Sequence, residues 1–270
     1  MKQVAGAGAL FLITLCGAAQ ADNTLLDSVR TKDSQAIGYS LSSYANNDSE
    51  SSFKAFNFGL IYQGIKTWGA EKFVVFDVDY AMGPDTYQGS LGTLIIPKYY
   101  YNLKLSIGKD LVYDSYILSP YIGLGYRFLR QNGGGLFTST GNYFYDRQST
   151  YNYIPLGLKR RIALADGATL ETTVEYDHLI SGNQYNGLSA ANNSGSGISD
   201  ATNINNKQNS GYGLNASLMY RRPDGWSFGP YWKYWNIDAS EAASYSSTTQ
   251  AVTERANTTD EFGIRAMYKF

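Results

Sequence analysis

Few residues in this chain could act as acids, bases or nucleophiles, and they are unevenly placed. There is 1 His, His178, and 1 Cys, Cys16, in 270 residues. No His, Cys, Asp and Glu cluster has metal-ligand spacing. The Gly-rich runs are turn chemistry with no strand and helix around them to cradle a phosphate, and no nucleophile motif is present. With so few soft ligands, a transition-metal site and a cofactor are not expected. What remains is carboxylate chemistry. Asp77 and Asp79 form a D-x-D, and Asp177 sits directly before His178. Strand residues two apart share a face and adjacent ones do not. Asp77 and Asp79 would therefore point together, whereas Asp177 and His178 would point apart unless a bulge intervened.

The elements carrying these residues alternate with a period of two between turn residues, the pattern of transmembrane barrel strands. The last, Glu261 to Phe270, places Phe262, Ile264, Ala266, Tyr268 and Phe270 on one face and Glu261, Gly263, Arg265, Met267 and Lys269 on the other. Similar alternation runs through 99–107, 121–128, 154–162, 170–177 and 212–221, with less regular runs near 35–45, 52–66, 71–81 and 225–237, giving ten candidate strands. The even-numbered connections are short: KTWGA, KDLVYDS, ADGA and RPDG. Most of the odd-numbered ones are longer and polar: MGPDTYQGSLGT after Tyr80-Ala81, QNGGGLFTSTGNYF from Gln131, the stretch from Ser181 to Gly211, and Ala239 to Thr259; the first, ANNDSES, is short. Short turns on one side and long loops on the other are what an outer-membrane barrel needs. The polar run Ser189–Gly211 reads as a mobile surface loop.

Composition agrees. Aromatic residues are 15% of the chain, Tyr alone numbers 24, and charged residues are 17%; a soluble domain carries about a quarter charged residues. The net charge of -1 excludes an electrostatic nucleic-acid binder. Residues 1–21 read as a cleaved signal peptide: Met1-Lys2, an apolar run from Val4 to Ala19, and Ala19-Gln20-Ala21 before Asp22. The run is short for a spanning helix, and Leu15 before Cys16 does not suit a lipoprotein. Residues 22–270 read as one all-β domain: an antiparallel, up-and-down, membrane-spanning barrel, since a closed sheet pairs every backbone group in hydrocarbon. Its lumen would hold Asp77, Asp79, Glu171, Glu175, Asp177 and Glu261 against Lys104, Arg127, Lys159, Arg161, Arg221, Lys233 and Arg265. Lys159 and Arg161 would lie beside Glu171 and Glu175 as cross-strand ion pairs. A barrel this size, filled by paired charges, would be packed or very narrow. Arg160 would face out and snorkel to headgroups.

The terminal strand FGIRAMYKF, with Tyr268 two residues before Phe270, resembles the carboxy-terminal signal of bacterial outer-membrane barrels. The resemblance implies export to the outer membrane, contact with its lipid and lipopolysaccharide, and recognition of Phe262, Ile264, Tyr268 and Phe270 by the barrel-assembly machinery. It says little of activity. Size and strand count also resemble the omptin proteases, which set acid pairs and an acid–His pair across the outer mouth. That resemblance would make Asp77, Asp79, Asp177 and His178 the catalytic residues, with His178 as base on a water steered by the carboxylates. The omptin pattern separates its acid and His by one residue, whereas here they adjoin. Three functions stay open: a surface structural or interaction protein with an extracellular ligand on its loops or a narrow passive channel, a small porin, and an omptin-like protease.

Overall fold

A computed structural model describes residues 23–69, 71–193, 200–244 and 251–270. The signal-peptide reading, with Cys16, lies outside the described residues. Ten long strands close a ring. They are β1 (Ser34–Asn47), β2 (Ser51–Trp68), β3 (Lys72–Gly89), β4 (Gly92–Lys109), β5 (Ile117–Gln131), β6 (Arg147–Ala163), β7 (Thr169–Asn186), β8 (Gly211–Arg221), β9 (Trp226–Ile237) and β10 (Asn257–Lys269). Every neighbouring pair is antiparallel, and β10 returns to β1 from Asn47↔Thr258 to Ala36↔Lys269. The fold class expected from the alternation is the one observed.

The faces divide as the pattern requires. Leu41, Leu60, Phe76, Leu105, Leu124, Leu156, Val174 and Ile264 stand exposed on the outer wall. Such a band is stable only against hydrocarbon. Rings gather at both of its edges: Trp226, Phe228 and Tyr268 pack together at one, and Tyr99, Tyr101, Tyr126 and Phe128 at the other. Arg160 faces out, with its guanidinium 4.9 Å from the Tyr116 ring centre.

The odd-numbered connections differ from expectation. The segment after Tyr80-Ala81 is not a loop. Strands β3 and β4 run on together to Gly89↔Gly92, each 18 residues long. At about 3.3 Å per residue that is about 60 Å, far more than a bilayer core needs. The hairpin thus rises beyond the aromatic edge, and inside its rise Phe53, Tyr87, Ile96 and Phe144 form a small apolar core. The polar run Ser189–Gly211 is also folded in its described part. Ile204–Lys207 pairs with Asn183–Asn186 of β7, and Ala191, Ala201 and Ile204 are buried. The outer end is a structured cap.

One cap turn makes a pH prediction. Between β1 and β2, Asp48 accepts hydrogen bonds from the Glu50 and Ser51 N–H groups, each at 2.7 Å, and from Ser51 Oγ at 2.6 Å. Partial burial pushes its pKa up, but the bonds from Ser51 and Glu50 outweigh this and hold it below the ordinary value. A carboxyl depressed in the folded state adds stability above its unfolded pKa of about 4, and that contribution fades as pH falls through the lower folded value. In urea titrations of the detergent-solubilised protein, Asp48→Asn should therefore be less stable than the parent at pH 6. The gap should close below about pH 4.

Candidate functional site

All thirteen charged residues expected in the lumen face inward, because each occupies the inner parity of its strand. Ten of them, all but Arg127, Arg161 and Glu261, line a cavity of roughly 120 Å³ at mid-barrel. Asp77 and Asp79 share one wall of it. Lys104 Nζ bonds Glu175 Oε2 at 2.7 Å and stands 3.9 Å from Asp77. Lys233 Nζ reaches Asp79 Oδ2 at 2.7 Å. Glu175 also accepts from Tyr121 Oη at 2.6 Å. Asn215 Nδ2 donates to both Glu175 Oε1, at 3.1 Å, and Asp177 Oδ2, at 2.6 Å.

His178 does not join them. Its register partners, Ile154 and Tyr212, are outward residues, and its ring lies beside Tyr176 on the lipid-facing wall. β7 carries its bulge above this point, between Asn152/Tyr153 and their partners, so Asp177 and His178 stay on opposite faces. The structure brings the three aspartates to one cavity and leaves the histidine outside it. Each aspartate in the cavity already meets a lysine or an amide.

The charge pairing is only partly between neighbours. Arg161 and Glu171 are register partners, but their Nε–Oε2 separation is 4.0 Å. Glu171 is taken at 2.8 Å by Arg221 from β8. Lys159 is paired in register with Thr173, forms no ion pair among the described residues, and lies 5.6 Å from the Tyr121 ring centre. Arg161 instead reaches Asp110 at 2.6 Å, and Ser119. Asp85, Lys98 and Asp110 are inward charges that sequence reading missed. Asp85 lay in an apparent loop, although the inward parity of Asp85 and Tyr87 was there to be followed.

Two constrictions bound the cavity. Towards the outer end, the Arg127 guanidinium lies 5.3 Å from the Trp235 ring centre and 5.9 Å from that of Tyr100. Tyr151, Tyr153, Leu179 and Ile237 pack around the same Trp235. Beyond them, among the described residues, lies a void of roughly 40 Å³, roofed by an ion pair between Arg147 and Glu254. At the end bearing the chain termini, the helix α1 (Asn23–Ser28) and the residues after it sit inside the barrel's end. Leu26 and Val29 are buried there. Arg161 Nη1 donates to Val29 O at 2.8 Å, and Thr31 donates to Asp110 through N and Oγ1 at 2.7 and 2.9 Å.

No protein-family model matches the sequence, and no curated protein matches it. Among solved structures, the outer membrane protease OmpT from Escherichia coli aligns with a TM-score of 0.53 at 10% identity, covering 90% of this chain and 100% of that one. The chain thus shares the closed antiparallel β-barrel fold of this outer-membrane protein. The barrel also aligns with the β domain of the Bordetella autotransporter BrkA (TM-score 0.43, 11% identity, 88% and 100% coverage) and with Neisserial surface protein A (0.33, 10%, 87% and 97%). These likenesses concern the fold, and the function of the barrel has to come from its own lumen and cap.

Proposed function

We propose that the barrel is a surface protein of the outer membrane whose closed lumen anchors a folded cap of outer loops, with the cap as its working part in structural or recognition contacts. The observation that carries this reading is the filled lumen. Ion pairs cross it, Arg127 and Trp235 obstruct one side of the cavity, and α1 sits inside the barrel's end on the other. A diffusion porin needs a continuous aqueous path, and here the mid-barrel cavity measures roughly 120 Å³, room for a few waters. The protease reading draws no support from the geometry, because His178 faces lipid and the aspartates are engaged by Lys104, Lys233 and Asn215. Export through residues 1–21 and assembly through Phe262, Ile264, Tyr268 and Phe270 belong to the same proposal. These four side chains stand exposed on the outer wall, where an assembly factor has access to them before the membrane does. Lipid and lipopolysaccharide would cover the wall, and an extracellular ligand would meet the cap.

The test is single-channel recording with the mature chain in planar bilayers. The expected result is a silent membrane apart from rare brief steps. Steady, long-lived open conductance from every insertion would overturn the reading in favour of a porin.

A further inference from the structure

We infer that the void beneath the cap is a binding site for one small inorganic anion of halide size, with the Arg127 guanidinium as its principal ligand. The site goes beyond the closed-lumen reading and stands whether or not the lumen conducts.

Arg127 is a buried cation without a counter-charge in contact. It is 5% exposed, and among the described residues its side chain makes no ion pair and no hydrogen bond. The guanidinium rests against the Trp235 and Tyr100 rings, and its Nε has no hydrogen-bond partner. Ring faces attract a cation but supply no formal negative charge. The carboxylates of this part of the lumen are engaged elsewhere. Glu254 pairs with Arg147, and Asp85 is held by Lys98 and Gln131. Asp48 is bound within its own turn. Glu261, which has no ion pair among the described residues either, accepts from the hydroxyls of Tyr100 and Tyr231 and not from Arg127. A guanidinium buried in this way is costly, and an anion drawn in beside it removes that cost.

The space for that anion is the void of roughly 40 Å³ that Arg127 lines. At about 10–15 Å³ for each water it holds about three, or one halide with a water beside it, and it is too small for an extended organic acid. A second guanidinium, Arg147, lines the same void and leaves its own Nε unpartnered despite the pair with Glu254. The neutral polar groups of the wall are turned to one another: Ser149 donates to Gln184, Gln131 to Asp85, and Asn46 to Asn257 and Thr259. Two guanidinium groups therefore face a void that carries one carboxylate pair and no further negative group in contact with Arg127. A water there offers only a partial charge. A weakly hydrated halide suits the weakly hydrated guanidinium better.

The probe is iodide, a heavy halide that quenches indole fluorescence on contact, and Trp235 beside Arg127 is the reporter. Of the 4 Trp in the chain, Trp68, Trp226 and Trp232 are replaced by Phe, and heat-modifiability on gels confirms a folded barrel. Iodide added at constant ionic strength should quench Trp235 along a saturating curve, and chloride should displace that curve to higher iodide. Arg127→Gln in the same background should weaken the apparent affinity by about tenfold or more. Absence of quenching, or the same non-saturating quenching with and without Arg127, would overturn the site. A second measurement keeps all four Trp. At equal ionic strength, the urea midpoint of the parent should be higher in chloride than in gluconate, which is too large for the void, because a ligand of the folded state alone stabilises it. The Arg127→Gln midpoint should be the same in both salts. Equal responses of parent and variant would count against the anion. Steady conductance in bilayers bears on the closed lumen alone and leaves this result untouched.

Discussion

Asp85→Ala should be among the most damaging single changes in this protein, costing about 3–5 kcal/mol in urea unfolding of the detergent-solubilised barrel. Asp85 and Lys98 meet at 2.9 Å with both side chains 0% exposed. Gln131 Nε2 donates to the other carboxylate oxygen at 2.7 Å, and the Lys98 ammonium lies 3.2 Å from the Tyr44 ring centre. The attraction inside such a pair is largely spent on removing both charges from water, so the intact pair adds little net stability. Removing one partner is different, because the other stays buried and charged. The double variant Asp85→Ala with Lys98→Met should therefore recover most of the loss. A single variant within about 1 kcal/mol of the parent would show that water or another group reaches Lys98 in this part of the barrel.

Gly229→Ala should cost about 3 kcal/mol or prevent assembly altogether. Gly229 lies where the β8–β9 pairing is interrupted, after Ser217↔Tyr231 and before Tyr220↔Phe228. A Cβ built on Gly229 would lie 1.8 Å from the carbonyl oxygen of Leu218 and 3.0 Å from Met219 Cα. Those are backbone atoms of β8, held on its other side by pairing with Thr172 and Glu171 of β7, so no rotamer change relieves the clash and the strands must separate. Gly64→Ala is the control. The nearest atom to its new Cβ is the Tyr62 hydroxyl at 3.2 Å, the far end of a side chain that can swing away, and its effect should stay within about 0.5 kcal/mol. Folding yield into detergent and the urea midpoint both report the difference.

The membrane-facing part of this barrel was legible because a single physical requirement, oily outside and polar inside, writes itself into residue parity. Phe262 through Phe270 and Tyr212 through Tyr220 state it directly. The rise of β3 and β4 beyond the bilayer was not legible. Outside hydrocarbon the parity rule relaxes, and Gly83, Pro84 and Gly89 look like turn residues although they lie within paired strands. The folded cap was hidden for a related reason: Ile204 and Ala201 are too sparse among Asn and Ser to mark a core. For the lumen, parity identified the charged residues but not their partners. Lys233 and Asp79 are 154 residues apart and meet across the ring, a distance that only closure defines. The helix α1 left almost no trace, since six residues carry too little periodicity to register.

The seam between β1 and β10 has a kinetic consequence. There Asn46 Nδ2 donates to Asn257 Oδ1 at 3.1 Å, between residues 211 apart in the chain. Hairpins elsewhere in the ring can zip from local turns, but this junction must gather two ends of a long polymer, and contacts of such sequence separation slow folding. Until it forms, the first and last ribbons both present bare edges that invite pairing with another chain. Refolding into detergent should accordingly be limited by this final docking, and the yield should fall as protein concentration rises, because a neighbouring molecule competes for the same edges.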